Sequence, residues 1–241
     1  MLKLWSIDTN DVKGAMGLNT LWTLKATIEL PQKADFTRRE WAIVQKHKTP
    51  ESVQTFLRTI RYNREKSGAT CYSFRRVLRE NSAHCLEGAL VAAVILEQHG
   101  YPPILVSIES QDKLDHVLFL FKRRGRFGSV ARSRDIGLHG RKPVFRSVRD
   151  LVMSYFDPYI DTTARITGYG FSNLYELGNY DWRFSMRNVF KVERHLQDIP
   201  HRAIHSSEIR FNEVRRRYLE FHERYPDRSP DYFSNRALWL P

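Results

Sequence analysis

The most continuous apolar pattern in the chain begins at Cys85. Residues 85–96 read CLEGALVAAVIL, which is apolar nearly all round at the period of a helix, and such a helix is typical of a protein interior. Gly100 fits the C-terminal cap of this helix, and Pro102 and Pro103 follow where the helix must end. The pattern predicts a buried central helix with Cys85 at its N-terminal end.

Beyond this helix the apolar positions follow the pattern of strands. Residues 104–108 form one short apolar run, and residues 116–121 (HVLFLF) are apolar on both faces, as in a central strand. Gly125 lies at the tip of a basic hairpin, and a return strand over residues 127–131 ends shortly before Asp135. The order helix, strand, strand, strand predicts an α+β fold.

The segment before the central helix carries clear helix signals. Thr49 is a good N-cap and Pro50 suits the first turn, so a helix is predicted from there to about Tyr62. Phe74, Val77 and Leu78 give another helical turn. Further upstream we expect a strand over residues 21–30 and a short helix over residues 36–46, capped by Asp35 or Thr37.

Helical patterns return after Ser147. Helices are predicted over residues 148–155, 182–196 and 206–224, with a Gly- and Tyr-rich connector over residues 166–180. We therefore divide the chain into three parts: an N-terminal segment packed on the core (1–48), the core itself (49–150) and a mainly helical C-terminal extension (151–241).

The composition agrees with a globular protein. The chain has 241 residues, 41% of them hydrophobic and 12% aromatic, which is more apolar than disordered chains are. It has two cysteines, so a disulfide framework is not implied. The first residues lack the pattern of a secretory signal, and the longest apolar run is too short to span a bilayer. We expect a cytoplasmic protein with no membrane partner.

Positive charge is concentrated in one part of the sequence. The net charge is +12, and residues 113–149 contain eleven Lys or Arg against Asp115 and Asp135. Such a segment would attract an acidic peptide, a phosphorylated group or nucleic acid, but it would equally serve as a solvated face. The chain carries neither a zinc-finger nor an RNA-recognition signature, so nucleic acid is a possible partner that no sequence motif supports.

Three residues in this arrangement suit nucleophilic catalysis. A cysteine nucleophile acts as a thiolate, which a helix N-terminus and a nearby imidazolium stabilise. Cys85 begins the buried helix, His116 begins a buried strand, and Asp135 follows the strand predicted to pair with it. Since the start of one strand lies beside the end of its hairpin partner, we expect His116 and Asp135 to be close, with Asp135 orienting the imidazole.

The same residues carry a resemblance to a known family. Residues 77–89 (VLRENSAHCLEGA), the entry to the first strand (HGYPPILVSIES) and the segment GRFGSVARSRD resemble the transglutaminase-like superfamily, which has a papain-like cysteine catalytic core. The resemblance covers roughly residues 50–135. The chain departs from the family at Ala83-His84, where many members have a glycine, and at Val117-Leu118, where many have a tryptophan. It departs again after the aspartate, at Ile136-Gly137.

The resemblance implies a Cys85–His116–Asp135 triad that forms an acyl-enzyme, most simply to hydrolyse an amide or peptide bond. Transfer of the acyl group to an amine is the alternative. The expected partner is a peptide or protein substrate, and the basic segment would favour an acidic one. A non-catalytic binding module of the same fold, with a basic surface for an acidic protein or nucleic acid, is the rival interpretation. The sequence does not predict the oligomeric state.

The remaining site assignments concern supporting groups. The backbone N–H of Cys85 is one oxyanion donor, and further oxyanion or substrate-binding candidates are Asn81, Gln111 and Arg134. His139 is a rival general base, and Cys85 could instead be an ordinary core cysteine. His84 has no second ligand pair at zinc spacing, so no metal is expected. The chemistry requires no cofactor.

Overall fold

The structure is a computed structural model that describes residues 22, 30–113 and 115–226. Within these residues the chain forms eight α-helices, a six-stranded antiparallel sheet and a short parallel pair of strands. The α+β class predicted from the order of elements is confirmed. None of the described helices is long and apolar enough to cross a membrane.

The elements follow one another in a mixed order. The helices are α1 (Arg38–Lys46), α2 (Pro50–Thr59), α3 (Phe74–Glu80), α4 (Cys85–Glu97), α5 (Val148–Met153), α6 (Phe156–Tyr159), α7 (Phe190–Asp198) and α8 (Glu208–Arg224). The strands are β1 (Arg61–Tyr62), β2 (Ser82–Ala83), β3 (Ile104–Ser110), β4 (His116–Arg123), β5 (Arg126–Val130), β6 (Arg141–Phe145), β7 (Ile166–Asn173) and β8 (Arg202–Ala203). A 3-10 turn, Ile136–Leu138, lies between β5 and β6.

The large sheet has apolar cores on both faces. Its strand order is β6-β5-β4-β3-β7-β8, so β4 is central, as its sequence predicted. Val117, Phe119 and Phe121 pack into the core that contains α4, whereas Leu118 and Leu120 pack into the opposite core. Because successive side chains of a strand point to opposite faces, burial on both sides explains why HVLFLF is apolar throughout.

Helix α4 is the buried element that holds the site. Every residue from Leu86 to Glu97 is buried, as the all-round apolar pattern predicted. Gly88 has a specific function in its first turn, since a Cβ there would lie 2.5 Å from the Cβ of Arg132. The missing side chain therefore lets the segment that follows β5 pass close over the start of α4. This contact brings residues from two distant parts of the chain to Cys85.

The C-terminal part of the chain differs from the prediction. The Gly- and Tyr-rich segment predicted as a connector is strand β7, which pairs antiparallel with β3 from Ile104–Asn173 to Ile108–Tyr169. The glycines of this segment gave it the composition of a connector. Gly170 has a packing role within the strand, because a Cβ there would lie 3.0 Å from the ring of His201. Residues beyond 150 therefore supply two strands, β7 and β8, to the six-stranded sheet.

Other helices match with shifted ends. Thr37, one of the two predicted caps, accepts from the N–H of Glu40 and begins α1. The helix predicted over residues 182–196 begins only at Phe190, because the preceding segment is fixed by Trp182, which is fully buried, and by Arg183. The strand predicted over residues 21–30 lies almost wholly outside the described residues.

Candidate active site

Cys85 is the first residue of α4. The short parallel pairing of β1 with β2 sets Tyr62 opposite Ala83, two residues before the cysteine. The N–H groups of a first helical turn have no acceptor within the helix, and they give this end a partial positive charge. The fold therefore places the thiol where backbone donors and the helix dipole both favour an anion.

His116 lies at the start of β4, the strand that packs against α4. Its ring is nearly buried, and Nε2 lies 2.9 Å from the carbonyl oxygen of Leu138. A carbonyl can only accept, so Nε2 carries a hydrogen and Nδ1 is the nitrogen left to exchange a proton. The ring is also packed edge-on against Tyr155, with centroids 6.0 Å apart. These contacts fix both the tautomer and the orientation of the imidazole.

The predicted contact between Asp135 and His116 is not formed. The carboxylate of Asp135 instead pairs with its neighbour Arg134, Oδ2 to Nη2 at 3.1 Å. Asp135 caps the 3-10 turn, and this turn carries the chain onward so that the carbonyl of Leu138 reaches the imidazole. Strand adjacency correctly brings this segment to His116. The orienting group is a backbone carbonyl three residues later.

The surroundings of Cys85 favour its thiolate. Burial alone would raise its pKa, but hydrogen bonding and charge from His116 and His84 outweigh it and lower the pKa to about 5. The sulfur also lies 3.9 Å from the carbonyl oxygen of Asp115. Cys71, by contrast, is fully buried, and burial raises the pKa of its thiol. The surroundings of the two cysteines therefore favour different forms, the thiolate at Cys85 and the thiol at Cys71.

His84 is a group at this site that sequence reasoning did not identify. The sequence presents it only as a possible metal ligand, and no group of His, Cys, Asp and Glu within the described part of the chain could hold a metal ion. Its Nε2 lies 3.0 Å from the carbonyl oxygen of Thr70 and 3.4 Å from Oε1 of Glu87. The sequence signal for this contact was His-Cys-Leu-Glu at a helix start, because the side chains at the N-cap and N3 positions lie close together.

The other predicted site residues are dispersed. Arg134 lines the cleft in front of Cys85, but Asn81 and Gln111 do not. Asn81 ends α3 in the left-handed conformation with φ 49°, and its carbonyl accepts from Arg61. Gln111 is exposed beyond β3, where its N–H donates to Arg165. Neither position suits an oxyanion donor.

His139, the rival general base, is also excluded by its position. Its ring is buried away from the cleft, with Nε2 3.0 Å from the carbonyl oxygen of Ser133. Burial, together with the charge of Arg132, lowers its pKa to about 4 although the Ser133 contact opposes this. A neutral, enclosed imidazole of this kind serves packing.

Cys85 opens into a cleft of about 1080 Å³. Helix α8 supplies Tyr218 and His222 to its wall, and the ion pair between Arg210 and Asp157 (2.7 Å) fixes that helix against α6. The C-terminal elements therefore form part of the site. Carboxylates outnumber cations in the lining: Glu65, Asp112, Asp115, Asp135, Asp161 and Glu193 against Lys113 and Arg134.

The basic segment is distributed between the interior of the protein and its surface. Arg132 and Arg141 are buried and donate to backbone carbonyls. The exposed members of the β4–β5 hairpin, including Arg124, lie at the end of β4 opposite to His116. Arg123, the last residue of β4, is seven positions from His116, which at about 3.3 Å per residue corresponds to roughly 23 Å.

Comparison with known proteins leaves the argument to the geometry. No protein-family model matches this chain, and the search of curated proteins also finds no match.

Proposed function

We propose that this protein is a cysteine enzyme that performs acyl-enzyme chemistry, most simply the hydrolysis of an amide or peptide bond. The observation that carries the proposal is Cys85, held at the N-terminus of a buried helix beside His116 with its pKa lowered to about 5. A buried core cysteine would have a raised pKa, as Cys71 does. The resemblance to transglutaminase-like proteins with a papain-like core points to the same chemistry.

Acylation starts from the Cys85 thiolate, whose proton has already passed to Nδ1 of His116. The thiolate attacks the substrate carbonyl carbon, and a C–S bond forms as the carbonyl oxygen becomes an oxyanion. The C–N bond then breaks, and Nδ1–H gives its proton to the departing amine. Throughout, the Leu138 carbonyl keeps Nε2 protonated and the ring fixed.

In the deacylation step, a water molecule enters the cleft vacated by the amine. Nδ1 removes one of its protons, hydroxide adds to the thioester carbon, and the C–S bond breaks to release a carboxylic acid and regenerate the thiolate. Transfer to an amine follows the same route, with the amine replacing water. We favour hydrolysis because water needs no second binding site.

Two groups are positioned to stabilise the oxyanion. The first-turn N–H of Cys85 is directed out of the helix. Tyr62 lines the same cleft, and burial together with the nearby Cys85 charge raises the pKa of its phenol to about 12. A phenol that stays protonated is a donor at neutral pH. Tyr62 therefore takes the place that Asn81 and Gln111 were expected to fill.

The lining of the cleft suggests the charge of the substrate. The cleft is lined by six carboxylates but by only two lysine or arginine side chains. This lining would repel the acidic peptide favoured by the sequence, so we propose a neutral or cationic peptide or amide instead. The alternative of a binding module for an acidic protein or nucleic acid would have to use a surface away from this cleft, such as the β4–β5 hairpin, because carboxylates predominate in the cleft itself.

The first experiment is alkylation of Cys85 by iodoacetamide from pH 4 to 9, read by peptide mass spectrometry. We expect a rate profile with its midpoint near pH 5, and slow labelling of Cys71 because it is buried. The midpoint is the informative quantity, since a thiolate of low pKa is intrinsically less nucleophilic. A midpoint near 8.5, the value of an ordinary thiol, would overturn the proposal.

The second experiment detects the acyl-enzyme. Activated esters and a peptide amide library are offered to the wild type and to Cys85→Ala, and intact mass reports a covalent acyl group. We expect the adduct on the wild type alone, with His116→Gln losing amide turnover by at least 100-fold. Adding primary amines then separates transfer from hydrolysis through the product that forms. A wild type that is never acylated would refute the proposed chemistry.

A further inference from the structure

The N-terminus of α4 contains a second imidazole next to the nucleophile. His84 is the N-cap residue of α4, and its side chain is largely enclosed, with 13% of its surface exposed. A protonated histidine is unfavourable at this end of a helix, because the helix dipole presents partial positive charge there. A nearby anion must compensate if His84 is to carry a charge.

Glu87 is that anion. Its carboxylate is fully buried. It accepts hydrogen bonds from neutral donors at 2.8–3.0 Å: the backbone N–H groups of Tyr72 and His84, the hydroxyl of Thr70 and the amide of Asn63. Within the described residues, the one basic group in ion-pair range is Nε2 of His84 at 3.4 Å. A buried carboxylate without a cation is costly, so this site favours the imidazolium form of His84.

The contacts of the His84 ring agree with that charge state. Nε2 faces the carbonyl of Thr70 at 3.0 Å and therefore carries a hydrogen. Glu65 adds a second carboxylate at 3.9 Å from the same nitrogen. The His84 side chain also hydrogen-bonds with the sulfur of the adjacent Cys85. Burial acts against the charge, but the Cys85 sulfur and Glu87 outweigh it and raise the pKa of His84 to about 9.

We propose that His84 is a permanently charged imidazolium that stabilises the Cys85 thiolate, while His116 alone transfers protons. This inference rests on the proposed cysteine chemistry and divides the work between two histidines. Glu87 is a positioning residue that acts through His84. His116 must lose its proton to the departing amine, whereas His84 keeps its proton throughout the cycle.

The two imidazoles beside the Cys85 sulfur have different roles. Before acylation His116 holds the proton taken from the thiol, and His84 holds its own proton beside Glu87. Further groups that interact with the sulfur are Cys71, Tyr62 and Tyr159, and the pKa of each is raised, so they stay uncharged. His84 therefore leaves one imidazolium beside the thiolate when His116 is removed.

The experiment compares alkylation profiles of the folded full-length chain in three variants. For His84→Gln we expect the midpoint to move up by about one to two pH units, as loss of one close charge predicts, and Glu87→Gln should move it in the same direction. For His116→Gln the midpoint should stay below 8.5 while amide hydrolysis falls by at least 100-fold. His99→Gln is the matched control, because His99 contacts the Val44 carbonyl outside the cleft.

His84→Lys is the rescue variant, since it restores a cation. We expect its midpoint to lie below that of His84→Gln. An NMR titration of the wild-type His84 ring needs no substitution, and it decides the question if His84→Gln does not fold. A ring that titrates near 9 supports the proposal, and one that titrates near 6.5 refutes it.

The outcomes distinguish failure of the role of His84 from failure of the proposed enzyme function. If wild-type Cys85 reacts like an ordinary thiol, the proposed function fails and this inference fails with it. If wild-type Cys85 is activated but His84→Gln has the wild-type midpoint, only the assignment of His84 fails. If His116→Gln is the only variant that loses the low midpoint, stabilisation of the Cys85 thiolate is due to His116 and the assignment of His84 fails.

Discussion

Asp135 offers the sharpest test of the site, because the sequence and the structure assign it different tasks. A triad predicts that its carboxylate orients His116, and the structure instead gives that task to the Leu138 carbonyl. We consider Asp135→Asn, which removes the charge and preserves the shape. In a Ser-His-Asp triad the equivalent change lowers kcat by about 10⁴-fold, since the imidazole takes the wrong tautomer.

The contacts of Asp135 predict a much smaller effect. Among the residues that the structure describes, its one ion pair is with Arg134, and the side chains of Asp135 and Arg134 are 34% and 60% exposed. Solvent-exposed pairs contribute about 0–1 kcal/mol, and the hydrogen bond to Nε2 of His116 is unaffected. We therefore expect kcat to fall by less than about tenfold and the melting temperature to change little, because no group within the imidazole's reach is lost.

The assay is steady-state turnover of an activated ester and of an amide, with the melting temperature measured in parallel. Asp150→Asn is the control, since Asp150 is an exposed aspartate on α5. His116→Gln sets the scale for complete loss of the proton carrier. A loss of 10³-fold or more in Asp135→Asn, with normal melting, would refute the assignment to Leu138 and restore the triad.

Three further predictions follow from the lining of the cleft and from buried charges. Glu193→Gln should lower kcat/KM for a lysine-flanked peptide more than for a glutamate-flanked one, and an equal effect on both would contradict an acidic cleft. Arg183→Gln should destabilise the fold by about 3–5 kcal/mol in denaturant unfolding, because it strands the buried Glu97 carboxylate that Arg183 binds at 2.6 Å. The exposed Arg216→Gln should lower the free energy of unfolding by less than about 0.5 kcal/mol. Equal destabilisation by the two substitutions would contradict the importance of burial. The wild type should lose stability between about pH 6.5 and pH 4, because the folded pKa of His139 is lowered to about 4 and the unfolded chain binds the proton first. That loss should be smaller in His139→Gln, and identical pH profiles of unfolding would disprove it.

Local sequence patterns were sufficient to predict an element where hydrophobic periodicity or a capping residue determines it. The apolar run after Cys85 predicted a helix buried all round, and α4 is buried from Leu86 to Glu97. HVLFLF predicted a strand covered on both faces, and β4 has cores on both sides. Helix period, strand period and cap chemistry are properties of neighbouring residues. The position of Cys85 at a helix start could be read for the same reason.

The sequence alone did not reveal which distant groups meet at that helix start. The strand β7 forms by pairing with β3, which lies some sixty residues earlier in the chain. Its glycines leave room for close neighbours such as His201. The carbonyl of Leu138 reaches His116 through a 3-10 turn, and a backbone atom leaves no signature in residue types. The charge state of His84 depends on Glu87, which is buried only because the chain around Thr70 folds over it.

The physical reason for this division is the range of the forces. A sequence encodes periodicity and capping over a few residues, so it determined many of the elements and the position of Cys85 at a helix start. Desolvation and hydrogen bonding act between whatever groups the tertiary fold brings together, and these decide which atom orients His116 and which cation faces Cys85. The site's electrostatics therefore belong to the folded structure, although every residue that supplies them is visible in the chain.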